Sequence, residues 1–400
     1  MSKYIAILTL CLSVGIVNQL QAQTPPPTRI LKVPSEYPTI QAGIDAAQAG
    51  DEVLVAAGTY NDPIVLKPWV KVCSEGTEEE HLNHTAARRT IIDIKQVLKP
   101  VVEGADGAVL DGFTLTGLGK VDHHKPAHPH GINCRGTSPI IINNIVHHNG
   151  STGIGSHMQH GKVAAPYIAN NIVYANNGLG IGSNHDSAAT IINNIIYDNK
   201  ELGIGSKNGA HPLIQGNKVY NNGQSGIGAK DGGFPIVRAN EVYNNGSAED
   251  FDNGGGLVFS DTYIPVIEDN KVYSNFTIGI GLGYDVTALV RNNESYQNRL
   301  VGIALGNTAD VKITHNKIHH NDKVGIGLAG LAHAEITNNE IYSNMFNAFS
   351  PYEEGKGNLI IKDNILKDNS VHFSDSASPR RQSLPGMPDQ LNRPGFMKRH

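Results

Sequence analysis

A 23-residue period governs this chain. Taking the second asparagine of each Asn-rich unit gives Asn144, Asn171, Asn194, Asn217, Asn240, Asn270, Asn293, Asn316, Asn339 and Asn364. The intervals are 27, 23, 23, 23, 30, 23, 23, 23 and 25 residues. Five residues after each stands another asparagine, from Asn149 and Asn176 to Asn344 and Asn369. A fixed period of this size is the mark of a stacked repeat. Twenty-three residues are too few for two helices and their turns, but they accommodate three short strands and the bends between them.

Alternation within one unit supplies the inward set. In "ATIINNIIYDNKELGIGS" (Ala189–Ser206), Ala189, Ile191 and Asn193 point one way. Ile196 does so after a bend at Asn194, and Leu202, Ile204 and Ser206 follow. The same slots recur as Ile168, Ile191, Ile214, Val237, Ile267, Val290, Ile313 and Ile336, and as Val173, Ile196, Val219, Val242 and Val272. The column Ser156, Ser183, Ser206, Ala229 becomes Leu282, Leu305 and Leu328, as an interior column would. Asparagine suits the bends because it tolerates left-handed backbone angles, and stacked amides can hydrogen-bond from coil to coil. With parallel strands about 4.8 Å apart, ten coils span roughly 45 Å. The expected fold is therefore all-β, a parallel solenoid of three-stranded coils, each burying its core only against its neighbours.

The ends read differently. Thr39 is an expected N-cap, Ile40, Ile44 and Ala47 form an apolar stripe, and Gly50 stops a short helix at about 39–49 that plugs the N-terminal end. Regular coils run from about 131 to 369. After Phe373 the chain turns rich in Pro, Ser and charge, and 374–400 reads as a disordered tail. The first 22 residues read as a secretory leader: Lys3, the apolar Ile5–Val17, then Leu20-Gln21-Ala22. That run is too short to span a bilayer. The mature domain (23–373) is thus expected in a secreted or periplasmic setting, without a transmembrane segment. A formal charge of −5 argues against a nucleic-acid partner. Outside the leader only Cys73 and Cys134 remain, read as two separate buried thiols rather than a disulfide framework.

The "NNIIYDN…GIG" units and the opening "VPSEYPTIQAGIDAAQAGDEVLVAAGTY" (Val33–Tyr60) resemble the right-handed parallel β-helix family of the pectate-lyase-like superfamily, over roughly Ile30–Phe373. The resemblance implies a right-handed helix, and an outer sheet face that often floors a polysaccharide groove. It does not by itself imply an activity. The chain is also similar to the β-helix accessory proteins that assist copper maturation of nitrous-oxide reductase. "SNHD" (Ser183–Asp186) is faintly similar to the Asp-Pro-His-Asp signature of the alginate epimerases. The catalytic sets of the family's pectin esterases, polygalacturonases and pectate lyases are not found.

Three outward features carry the functional expectations. The first is a glycine stripe, Gly153/Gly155, Gly180/Gly182, Gly203/Gly205 and Gly226/Gly228, continued by Gly279/Gly281 and beyond. Strands avoid glycine, so a bare stripe suggests close approach by a ligand; cover by the tail or a partner, or relief of crowding, are equal alternatives. The groove set is Gly155, Gly182, Gly205, Gly228 and Asn184. The second is a tyrosine column (Tyr174, Tyr197, Tyr220, Tyr243, Tyr273, Tyr296, Tyr342) with His147 and His319 in the same slot, read as structural stacking. The third is a histidine cluster: eight of 18 histidines lie between His123 and His160. His123, His124, His128, His130, His157, His160 and His185 form a candidate copper or zinc set, with Met158 as a soft neighbour. His147 and His148 are assigned to another strand.

Farther along the face, Lys207 and Lys230 with Asp186 and Asp231 are the candidate catalytic groups. A cation beside a uronate carboxylate and a base for its α-proton would support lyase or epimerase chemistry. The first expectation is a protein that binds or processes an acidic polysaccharide, with calcium as a further candidate cation. The alternatives are a periplasmic copper- or zinc-binding accessory protein and a non-catalytic envelope scaffold.

Overall fold

The computed structural model describes residues 28–95, 99–117, 129–247, 254–262, 266–306, 308–328, 332–350 and 358–369. Its strands pair in parallel, one coil above the next. The column Ile168, Ile191, Ile214 and Val237 lies in register from coil to coil. Among the described residues the coils build three sheets, of 14, 13 and 11 strands. The first begins at Ile30–Val33, the second at Gly58–Tyr60 and the third at Ile64–Val65. This is the parallel solenoid expected from the period, in the right-handed β-helix form that the resemblance implied.

The inward columns form one continuous core. Ile191, Ile196 and Ile204 are each 0% exposed, as are their counterparts in neighbouring coils. The column Ser156, Ser183, Ser206 and Ala229 is interior and continues through Phe259 into Leu282, Leu305 and Leu328.

Asparagine's two jobs fall to different residues. The bend lies at Asn193 (φ 54°), not at Asn194. Its side chain is exposed rather than inward. Equivalent left-handed positions hold Asn170, Gly216, Ala239, Asp269, Asn292 and His315, so the slot accepts many residues. The buried Asn194 is the ladder residue. Its Oδ1 accepts from the backbone N–H and the Nδ2 of Asn171 (2.9 and 3.0 Å). Its own Nδ2 donates to the Ile168 carbonyl (2.9 Å) and to Asn217 Oδ1 (3.0 Å). A second ladder runs through Asn149, Asn176, Asn199, Asn222 and Asn245 in the same manner. A buried amide is tolerated only when its hydrogen bonds are made, and here each coil supplies the partner for the next.

A helix, Ile40–Ala46, packs against the first strands, with Thr39 Oγ1 accepting from the Ala42 N–H (3.1 Å). It ends at Ala47 rather than Gly50, which lies in the following turn at φ 90°. The early coils also carry two short helices that the repeat does not foreshadow, Glu78–Leu82 and Thr85–Arg89. They bring His81 Nδ1 to Asp111 (2.8 Å), and that pairing raises the imidazole's pKa. Cys73 and Cys134 are free and buried, and burial pushes both thiols up. Among the described residues no helix is long and apolar enough to cross a membrane. The expected leader and tail lie outside the described residues.

Candidate functional site

The third sheet carries the glycines, and its two glycine files differ. Gly155, Gly182, Gly205 and Gly228 stack in register on its outer side. The preceding file, Gly153, Gly180, Gly203 and Gly226, is not outward. A Cβ on Gly203 would lie 2.4 Å from a Val219 methyl and 2.7 Å from the Gly226 carbonyl oxygen. Those glycines exist because the corner presses the backbone onto the valine and asparagine columns. The residue before each is turned the other way: Leu202 and Leu179 are half-buried and lie on the outside, where Leu202 had been expected inside.

The outer glycine file is consequently covered rather than bare. Leu179 lies over Gly182 and Gly205, where a Cβ would be 3.1 and 3.3 Å from its Cδ1. Leu202 covers Gly228, and the His130 ring covers Gly155. Leu179, but not Leu202, also lines a groove of about 1180 Å³ crossing several coils. Thr152, Leu179, Asn184, Lys200, Glu201, Lys207 and Gln224 are among its walls. Asn184 and Lys207 stack in one outward file, His157, Asn184, Lys207, Lys230. Glu201 sits in the corner before its strand. Desolvation there raises its carboxyl pKa, against the opposing pull of Lys207 and Lys200.

The structure thus brings Asn184 and Lys207 into one groove. Lys230 continues their file but does not line it. Asp186 and Asp231 occupy the exposed left-handed turns after their strands (φ 55° and 52°), apart from the groove. Asp186 lies over Gly209, where a Cβ would be 2.1 Å from its Oδ1. Lys200 and Glu201 were missed because a charged pair after a bend reads as solvated surface. Their signal was positional: they fall between a ladder asparagine and the glycine strand in a coil without an insertion.

His123, His124 and His128 lie outside the described residues. His130, His157 and His185 follow one another across neighbouring coils. Burial, then His157, lowers the His130 pKa, while burial, then Arg135 and His185, lowers that of His157. His130 Nδ1 is buried without a hydrogen-bond partner. His185 bonds Asn208 (3.3 Å). His160 and Gly161 (φ 51° and 75°) form the turn of a small hairpin closed by Gln159 and Lys162, which accounts for the 27-residue interval. Among the described residues no three His, Cys, Asp or Glu side chains are grouped to hold a metal ion. The tyrosine column is a continuous stack, with ring centroids 4.9 Å apart for Tyr174–Tyr197 and 5.0 Å for Tyr197–Tyr220.

Comparison with known proteins agrees with this geometry. The family model described as "Right handed beta helix region" matches residues 130–277 and 255–381. The A-module of the Azotobacter vinelandii mannuronan C-5 epimerase AlgE4 superposes with a TM-score of 0.53 at 19% identity, covering 85% of this chain and 93% of that one. A mutant of the periplasmic alginate epimerase AlgG gives 0.56 at 13% identity, covering 84% and 83%. At these identities the likeness is one of fold. No curated protein matches the chain by sequence.

Proposed function

We propose, from the premise that this chain belongs to the right-handed β-helix family, that its groove binds an acidic polysaccharide laid across the coils of the third sheet. The observation that carries the reading is the groove itself: a largely polar channel with Leu179 as its one apolar contact among the described residues and Asn184, Lys207, Lys200 and Gln224 along its walls. Sugars present apolar ring faces and polar edges, and sites of this mixed kind are what they fit. The solved β-helices named above, a mannuronan epimerase and an alginate epimerase, support a uronate as the ligand. In that reading Lys207 pairs with a carboxylate of the glycan. Glu201, whose proton is held more tightly than usual, is the group beside it suited to exchanging a proton with the sugar. The Met1–Ala22 leader would deliver the protein outside the cytoplasm.

The test is calorimetric titration with oligomannuronate, oligogalacturonate and a neutral glucan, followed by assay for unsaturated or epimerised product. Salt-sensitive binding of the uronates alone is expected, weakened at least tenfold in Lys207→Ala. Equal affinity for the neutral glucan, or uronate binding untouched by Lys207→Ala, would overturn the assignment.

A further inference from the structure

Two histidine pairs stand outside the groove, on the second sheet. His147 and His319 occupy slots of the aromatic column, stacked on Tyr174 (4.8 Å) and Tyr342 (4.6 Å). Each is followed by a histidine at a left-handed bend: His148 (φ 52°) and His320 (φ 53°). The column ring lies flat in its stack while the bend residue projects beside it, so the two rings of a pair stand nearly perpendicular (87° in both). The outcome is the same in two coils far apart in sequence. His147 Nδ1 lies 2.7 Å from His148 Nδ1, and His319 Nδ1 lies 2.8 Å from His320 Nδ1. His148 and His320 are exposed, while the stacked partner in each pair is half-buried.

We propose that each pair is a two-nitrogen chelate for a divalent transition-metal ion of the copper(II) type. In the metal-free protein one Nδ1–H donates to the other Nδ1; when the ion binds, the donor imidazole moves that proton to its own Nε2 through solvent, no net proton is lost, and the exposed ring tilts so that both Nδ1 lone pairs face the ion. Three observations support this. First, both pairs present the same two donor atoms at the same separation. Second, the separation is selective. Two nitrogens about 2.0–2.1 Å from one ion and 2.7–2.8 Å apart subtend about 85°. That suits the cis positions of a square-planar or tetragonal ion, whereas a tetrahedral zinc would need roughly 3.3 Å between them. Third, the ring at His319 is already set. Its Nε2 faces Glu294 Oε1 at 3.4 Å. An Nε2–H donated to that carboxylate leaves Nδ1 as the lone pair, the arrangement by which a carboxylate orients a ligating histidine. With two protein ligands per ion, the remaining positions are open to water or a solute.

The experiment titrates the chelator-treated full chain with copper(II) alone, and separately with zinc(II), following heat release and the copper spin-resonance spectrum. The comparison proteins are His148→Asn/His320→Asn, which keeps a residue suited to the bend, and His147→Tyr/His319→Tyr, which restores the residue used elsewhere in the column. Wild type is expected to bind two more copper ions than either variant, with two-nitrogen hyperfine structure on those ions. Zinc should bind these sites at least tenfold more weakly. Glu294→Gln should weaken one of the two by roughly tenfold or more. An unchanged copper count in both variants overturns the proposal, as does zinc binding to the pairs as tightly as copper.

Discussion

The third sheet is built twice on one backbone, and the two versions differ in what lies on each side of it. Between Ile154 and Lys230 its strands are four residues long and read Ile-Gly-Ser or Ile-Gly-Ala plus an outward polar residue. Inside, Ser156 and Ser183 bond Ser187 (3.2 and 2.5 Å), and Ser206 donates to the Ala210 carbonyl (3.2 Å). Outside is the groove. Between Ile278 and Leu328 the strands are five residues long and buried at every position. Inside stand Leu282, Leu305 and Leu328. Outside, Ile278, Val301, Ala304 and Val324 make a second apolar cluster, packed by Leu300 and Phe346. The same coil can therefore be a stabilising plug or a binding surface. The choice is made by one outward residue before the inner glycine and one inward residue after the outer one.

The largest effect should come from exchanging the interiors. Leu305→Ser removes a fully buried side chain and leaves a hydroxyl in its cavity. The expected cost is about 4 kcal/mol. Ser206→Ala removes one hydrogen bond and should cost about 1 kcal/mol. Urea unfolding measures both. Native-state hydrogen exchange sharpens the contrast, because the serine coils should open at lower free energy than the leucine coils. Equal costs in the two halves would mean that the interior column does not distinguish them.

The next effect should not distinguish the halves at all. The inner glycines meet the same walls in each. A Cβ on Gly302 would be 2.4 Å from an Ile318 methyl and 2.7 Å from the Gly325 carbonyl oxygen, nearly the same distances as for Gly203. Gly203→Ala and Gly302→Ala should each cost about 3 kcal/mol, since backbone rather than a movable side chain must give way. Gly205→Ala meets only Leu179 methyls at 3.3 Å and should stay within about 0.5 kcal/mol. Thermal melts of the three variants separate corner glycines from groove glycines.

That distinction marks where sequence reading succeeds and where it slips. The period, both asparagine files and the valine–isoleucine columns were legible, because vertical stacking turns a repeated letter into a buried file. Alternation counted along the chain loses phase at a corner. It placed Leu202 inside and Gly203 outside, whereas the turn between the second and third sheets puts them the other way round. The bend was displaced by one residue for a related reason: the left-handed slot accepts Asn, Asp, Ala, Gly or His, so its identity is not periodic, while the ladder next to it is. Lys207 and Asn184 were legible as an outward file. Glu201 was not, since nothing in "NKELG" shows that its carboxyl faces a groove two residues before the strand turns.

The smallest effect concerns Glu201 and has a definite sign. Desolvation raises its folded-state pKa above the ordinary 4.5, with Lys207 and Lys200 opposing. Below about pH 4.5 the carboxyl is protonated in folded and unfolded chains alike and imposes no ionisation cost. As pH rises toward the raised folded value, the unfolded chain has already released its proton while the folded chain still holds its own, so stability falls. Glu201→Gln should remove that decline, leaving a flatter stability profile between pH 4.5 and 7 in urea titrations. In the leucine-sealed coils the matching position holds Thr277, Leu300 and Lys323, none of them a carboxyl, so Leu300→Gln, which places the same amide side chain at the matching approach to the glycine strand, should leave the profile's pH dependence as it is in the wild type. A profile equally steep in Glu201→Gln and wild type would show that the carboxyl is hydrated, and would remove it from the groove's chemistry.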